Sequence, residues 1–182
     1  MLMRENSPGA QLPSMAANNH GRPVIRVRQR EVAKRLPHVC AANITDTGWK
    51  DDVHPHDKKP VGERLAHAAR RHVYGDTSCS RTPEFASATF RPGRAVVAFT
   101  ADTPLRARGE GVGRGFELKV GGTWRPAAKA ELVGGTVVVT SEGADDAVEG
   151  VRYLWDSWDK PNVWLYDEQG IPVNSFSEPF EI

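Results

Sequence analysis

The sequence predicts an α/β unit followed by an antiparallel β-sandwich of jelly-roll character. Helical spacing of apolar residues is confined to the chain before Gly75. From Thr82 onward, short β-branched or aromatic runs alternate with glycine- and proline-rich turns. Between the two textures, Asp76 to Arg81 is a short polar stretch that reads as a linker.

Residues 1–21 open with "MLMRENSPGAQLPSM", a polar segment without the apolar core of a secretion signal, expected to be partly disordered. Residues 22–75 make up the α/β unit. In "VIRVRQREVAKRL", Val24, Val27, Val32 and Leu36 recur at an imperfect helical spacing, and Pro37 stops the helix. "HVCAANIT" is short and partly β-branched, which predicts a buried strand with Cys40 as a buried free thiol. An acid- and histidine-rich loop leads to a second helix with Val61, Leu65, Ala69 and Val73 on one stripe. Asp57 is its expected N-cap, Pro60 falls in its first turn and Gly75 supplies its C-terminal stop.

Residues 82–182 carry the runs "RAVVAFT", "GFELKV", "AKAELV", "TVVVT" and "GVRYLW", at least five strands at sandwich spacing. "AELVGGTVVVT" reads as a hairpin closed at Gly134 and Gly135. Trp124, Trp155 and Trp164 lie in or beside apolar runs and are expected in the core. Trp158, in "DSWDKPN", is the tryptophan expected at the surface, where a ring stacks on a sugar.

Composition narrows the function classes. Lysine plus arginine (24) nearly balance aspartate plus glutamate (23), so no global field points to nucleic acid or an anionic membrane. The arginines of "RPVIRVRQREVAKR" are interrupted by Glu31 and apolar residues, as on a solvated helix face. No apolar run approaches the roughly 20 residues of a membrane span. Two cysteines make neither a disulfide framework nor metal-ligand spacing.

The chemistry concentrates in "TDTGWKDDVHPHDKKPVGERLA". A histidine that opens a helix with an aspartate three residues earlier suits a serine hydrolase. The carboxylate holds the imidazole in one tautomer and stabilises the imidazolium. Asp51 stands three residues before His54 and Asp52 two. The plainer reading makes His54 and His56 solvated loop histidines, with Asp51 and Asp52 favouring the helix N-terminus. A metal site of Asp51, Asp52, His54 and His56 is a third reading, which lacks a distant further ligand.

"GAQLPSM", the helix carrying "RVRQ", the segment "ITDTGWKDDVHPHDKKPVGERLA" and the tail "VEGVRYLWDSWDKPNVWLYDEQGIPVNSFSEPF" resemble, in that order, the sialate O-acetylesterases. These are carbohydrate esterases whose catalytic domain is of the SGNH-hydrolase type. The resemblance covers about Gln11 to Phe180. It implies that residues 22–75 are the terminal α/β unit of an SGNH-type hydrolase domain and that the β-rich half is the accessory domain behind it. It places His54 at the catalytic histidine. Asp51, Asp52 and Asp46 each match a family aspartate, and the choice of partner stays open. Arg26 and Gln29 match an arginine–glutamine pair whose implied role is structural or pocket-lining.

An ester-cleaving site also needs a nucleophile and oxyanion donors. In SGNH hydrolases the serine comes early, in a Gly-Asp-Ser-like turn after the first strand. Here "GDTSCS" follows a helix and comes after His54, so Ser78 and Ser80 read as linker residues. Ser7 and Ser14 have no strand–turn–helix context either. The expectation is therefore the carboxy-terminal portion of an esterase, inactive alone and acting on an O-acetylated carbohydrate. Its missing amino-terminal portion is expected as a possible partner chain, and no cofactor, nucleic acid or membrane is expected to take part. The alternatives are a carbohydrate-binding accessory module and a truncated gene product. The family is usually secreted, periplasmic or lysosomal, and the compartment of this chain does not follow from its residues.

Overall fold

The computed structural model describes residues 21–49, 56–109, 113–157 and 162–181. Two helices precede a β-rich half built from antiparallel sheets.

Helix α1 (Gly21–Arg35) starts with Pro23 in its first turn, where a missing N–H costs no helical bond. Lys34 and Arg35 close it, cations that suit the negative end of the helix dipole. Its last bond is Leu36 N–H to the Val32 carbonyl at 3.1 Å, and Pro37 follows. The segment expected as a buried strand, "HVCAANIT", is irregular and pairs with no other strand among the described residues. Strand character requires a neighbouring edge, and side-chain bonds from Asn43 tether this stretch instead. Cys40 is accordingly half-buried rather than buried.

Helix α2 (Lys59–His72) begins at Lys58, which makes no side-chain cap. Asp57, one residue earlier, caps the helix in its place, its Oδ1 accepting the Lys59 N–H at 3.0 Å. Pro60 lies in the first turn as expected. At the other end Gly75, at φ 70°, turns the chain so that the Asp76 N–H reaches the Arg70 carbonyl at 2.9 Å.

The β-rich half contains β1 (Glu84–Arg91), β2 (Arg94–Thr100), β3 (Arg106–Ala107), β4 (Phe116–Val120) and β5 (Thr123–Pro126). It continues with β6 (Lys129–Val133), β7 (Thr136–Thr140), β8 (Val148–Tyr153), β9 (Leu165–Tyr166) and β10 (Phe176–Glu178). One four-stranded sheet runs β1-β2-β7-β6, a second runs β10-β8-β4-β5, and β3 pairs with β9. Each predicted run became a strand, with "RAVVAFT" and "TVVVT" matching β2 and β7 end to end. The hairpin turns at Gly134 and Gly135, whose φ of 55° and 84° meet the double left-handed requirement of a tight two-residue loop.

Strands β1 and β5, both edges, lack the dense β-branched runs that marked the predicted strands. An edge strand packs against one neighbour only, so it tolerates the small and polar residues of "EFASATFR" and a terminal proline in "TWRP".

The two sheets share one apolar cluster. Ala95 and Val97 of β2 and Val137 and Val139 of β7 are buried with Phe116 and Leu118 of β4 and Val151 and Tyr153 of β8. The alternation along each strand is the period-two pattern of a half-buried sheet. Tyr153 buries its ring but not at the cost of an orphaned hydroxyl, which accepts the N–H groups of Trp164 (3.0 Å) and Leu165 (3.1 Å). Phe85 of β1 stacks on Phe176 of β10 at 4.5 Å and ties the two sheets together. Trp155 and Trp164 are buried and Trp124 half-buried, with the Arg152 guanidinium 4.5 Å over its ring. Trp158 lies outside the described residues.

Candidate functional site

The loop that joins the first helix to the second is held from three directions. Asn43, buried, donates from Nδ2 to the carbonyls of Pro172 (2.9 Å) and Val173 (3.2 Å). Its Oδ1 accepts the Thr45 N–H at 3.0 Å and the Thr45 hydroxyl at 2.9 Å, an Asx turn that bends the chain. Both hydrogens and both lone-pair directions of that amide are thereby used. Thr47 returns to the Ile44 carbonyl through its backbone N–H (3.0 Å) and its hydroxyl (2.7 Å).

Arg64 of α2 grips the same loop. Its guanidinium forks onto Asp46, Nη1 on Oδ1 and Nη2 on Oδ2 at 2.6 Å. It also donates to the Asn43 carbonyl at 3.0 Å and to the Gly170 carbonyl at 3.4 Å. The two side chains are only 12% and 16% exposed, so the pair is largely removed from water. Tyr166 stands next to Asp46, and burial foremost, then that carboxylate, pushes its phenol up to about 12.

This shift has a measurable consequence. Below pH 10 the phenol is protonated in both folded and unfolded chains, so its contribution to stability is intact. As pH rises from 10 through about 12 the unfolded chain ionises first, and that contribution is lost. Tyr166→Phe is expected to flatten the alkaline decline in denaturation midpoint relative to the parent; parallel declines would contradict the assignment.

Beyond Gly48, at φ 83°, come Trp49, 55% exposed, and the segment 50–55. Asp51, Asp52 and His54 belong to that segment and lie outside the described residues, as do residues 1–20. The residues on either side of the segment meet: the rings of Trp49 and His56 sit edge to face with centroids 6.2 Å apart. The loop stem is thus anchored at Asp46 by α2 and at Trp49 by His56.

The remaining candidates have defined places. Arg26 donates to the carbonyls of Leu154 (2.8 Å) and Asp156 (3.0 Å) and to the Ser175 hydroxyl (3.3 Å), fastening α1 to the β-rich half. Gln29 is exposed on a different side of α1. Asp46 commits both carboxylate oxygens to Arg64.

Ser80, His67 and Asp167 gather the three residue types of a hydrolytic triad, and sequence reasoning had not singled out the group. Their geometry is wrong for that chemistry. The Ser80 hydroxyl donates directly to Asp167 Oδ2, and His67 Nε2 contacts the Ser80 backbone carbonyl at 2.8 Å rather than the hydroxyl. Asp167, 1% exposed, accepts the Ile171 N–H on its other oxygen at 2.7 Å. Gln169 completes the knot, accepting the Ser80 N–H at 3.0 Å and donating to the Ser78 carbonyl at 2.7 Å. With no base at the hydroxyl, the cluster is a structural clasp between residues 78–80 and the 167–171 turn.

A cleft of about 370 Å³ lies between α1, the 39–41 stretch and the sheet, lined in part by Arg30, Cys40, His72 and Thr82. Its charges brace the joint: Lys34 pairs with Glu84, and Arg81 with Asp102 at 2.6 Å. Arg30 donates to the Ser175 carbonyl at 2.5 Å, with its guanidinium lowered to about 10, chiefly by burial.

The chain is similar to the crystal structure of a carbohydrate acetylesterase from Xanthomonas citri. The TM-score is 0.67 and the identity 36%, covering 75% of this chain and 31% of that one. The chain therefore spans about a third of the length of that protein. No protein-family model matches, and no curated protein does.

Proposed function

We propose that the chain is the base-supplying part of a carbohydrate O-acetylesterase. The observation that carries this reading is its similarity to a carbohydrate acetylesterase at 36% identity over 75% of the chain. The acid–histidine loop supplies the chemistry. A serine from a further part of the esterase attacks the acetyl carbonyl of an O-acetylated sugar, and His54 takes the serine proton. His54 then returns a proton to the departing sugar oxygen, leaving an acetyl-enzyme. Water, deprotonated by His54, attacks that ester, and acetate leaves as the serine recovers its proton. Asp51 or Asp52 orients the imidazole, because Asp46 already serves Arg64 with both oxygens. Arg26, through its bonds to the β-rich half, keeps α1 in register with the site, and Gln29 lines its approach. These steps require no metal or organic cofactor.

In the finer form of the proposal, residues 22–75 complete an SGNH-type unit, residues 82–182 form the jelly-roll-like sandwich behind it, and residues 76–81 join them. The acetylated sugar is a sialic acid. The test combines this chain with the serine-bearing part of such an esterase and measures acetate released from O-acetyl sialic acid and from acetylated xylan. Release from the sialate alone is expected. Release from xylan alone removes the sialate assignment, and release from neither removes the esterase reading.

A further inference from the structure

Each helix turns a row of basic side chains toward the rest of the protein while leaving apolar side chains exposed. On α1, Arg26, Arg30 and Lys34, four residues apart, form the stripe that meets the β-rich half, at Leu154, Ser175 and Glu84. The opposite stripe is Ile25, Val32 and Leu36, with Gln29 between them, and all of these are exposed. On α2 the inward stripe is Arg64, His67 and Arg71, which reach Asp46 and the Gly170 carbonyl, the Ser80 carbonyl and Asp102 respectively. Leu65 and Val73, 55% and 59% exposed, lie on the outward side. A helix that settles on a domain in water buries its apolar stripe and leaves its charges in solvent. Here Ile25, Val32, Leu36, Leu65 and Val73 stay exposed although each helix is already seated on the protein through Pro23 or Ala68 and its inward cations. Among the described residues the β-rich half exposes only Val133 and Phe180 of its large apolar side chains. The exposed apolar surface is thus concentrated on the helices and the segments flanking them, where Val39, Trp49 and Tyr74 are exposed as well.

We infer that the outward stripes of α1 and α2 are a docking surface for the remainder of the esterase, the polypeptide corresponding to the part of the matched acetylesterase that this chain does not span. That protein shares this chain's fold over only 31% of its length, so most of its mass has to lie beside the shared portion. The face left uncovered here is the apolar one on the helices. The loop carrying Asp51, Asp52 and His54 connects these same helices, with exposed Trp49 at its stem. This inference deepens the esterase proposal by assigning its second component a surface.

The test co-expresses this chain with the part of the Xanthomonas citri acetylesterase outside the matched region and follows assembly by analytical ultracentrifugation. A one-to-one complex is expected. Val32→Asp/Leu65→Asp should weaken it by about a hundredfold, since charges placed in a desolvated contact oppose binding strongly. Val133→Asp, on the β-rich half, should leave it unchanged. Both positions of the double variant are exposed, and an unaltered melting curve confirms that the variant folds. No complex, or one indifferent to the double variant, overturns the docking surface. Self-association of this chain that the double variant abolishes and that excludes the co-expressed part overturns the assigned occupant. Acetate release is read separately: a stripe-dependent complex that never releases acetate refutes the esterase chemistry and leaves the docking surface standing.

Discussion

His54→Ala is expected to lower acetate release by about 10²- to 10⁴-fold, the range over which a positioned general base accelerates proton transfer. The measurement belongs on the assembly that contains the serine, with saturating acetylated sugar, so that kcat is read directly. The imidazole carries a proton away from the attacking hydroxyl, delivers one to the leaving sugar oxygen and later activates water. Its removal therefore affects both halves of the reaction, and KM should change far less than kcat. Asp51→Asn and Asp52→Asn separate the two candidate partners. The one that orients His54 should depress kcat steeply, because an amide cannot enforce the tautomer or stabilise the imidazolium. The other should stay close to the parent. Undiminished release by His54→Ala would end the assignment of the base.

Arg64→Leu is expected to destabilise the chain by about 3–5 kcal/mol, the cost of stranding one member of a buried ion pair. For a chain of this size that corresponds to a fall in melting temperature of roughly 6–20 °C. The guanidinium makes bonds to Asp46 and to the Asn43 and Gly170 carbonyls, so one substitution releases the loop stem, α2 and the 167–171 turn together. Arg64→Lys should recover only part of the loss, since an ammonium is a point charge without the planar fork that matches a carboxylate. Asp46→Leu/Arg64→Leu should be more stable than Arg64→Leu alone, because no buried carboxylate is then left unpaired. A melting temperature for Arg64→Leu within about 2 °C of the parent would show that the pair is not a main support of the loop. In the active assembly the same substitution should lower kcat with little effect on KM, as expected of a residue that positions the loop without touching the sugar.

The β-rich half was legible where residue type and burial coincide. Runs such as "RAVVAFT" and "TVVVT" declare central strands, and the paired glycines declare their turn. Edge strands β1 and β5 were not legible, because "EFASATFR" and "TWRP" carry few β-branched residues, whereas the edge strand β6 was legible in "AKAELV". "HVCAANIT" failed for the complementary reason: its residues favour a strand, and no neighbouring edge among the described residues makes it one.

At the site, the sequence pointed to the acid–histidine loop by its density of ionisable groups, and that signal concerns residues 51–54, outside the described structure. The fork between Arg64 and Asp46 crosses 18 positions, and the clasp from Ser80 to Asp167 crosses 87. No local spacing rule reaches that far.

The helix positions, the strands of the β-branched runs, the paired-glycine turn and the chemical character of the loop were determined by the sequence itself, since each depends on neighbours within a few residues. Which side of each helix faces inward was decided only by the tertiary structure. Of the apolar row Val61, Leu65, Ala69 and Val73, Leu65 and Val73 are exposed, while Arg64, His67 and Arg71 reach the body of the protein. Periodicity reveals that a helix has two faces. The contacts available to each face, set by partners distant in the chain, select which one is covered.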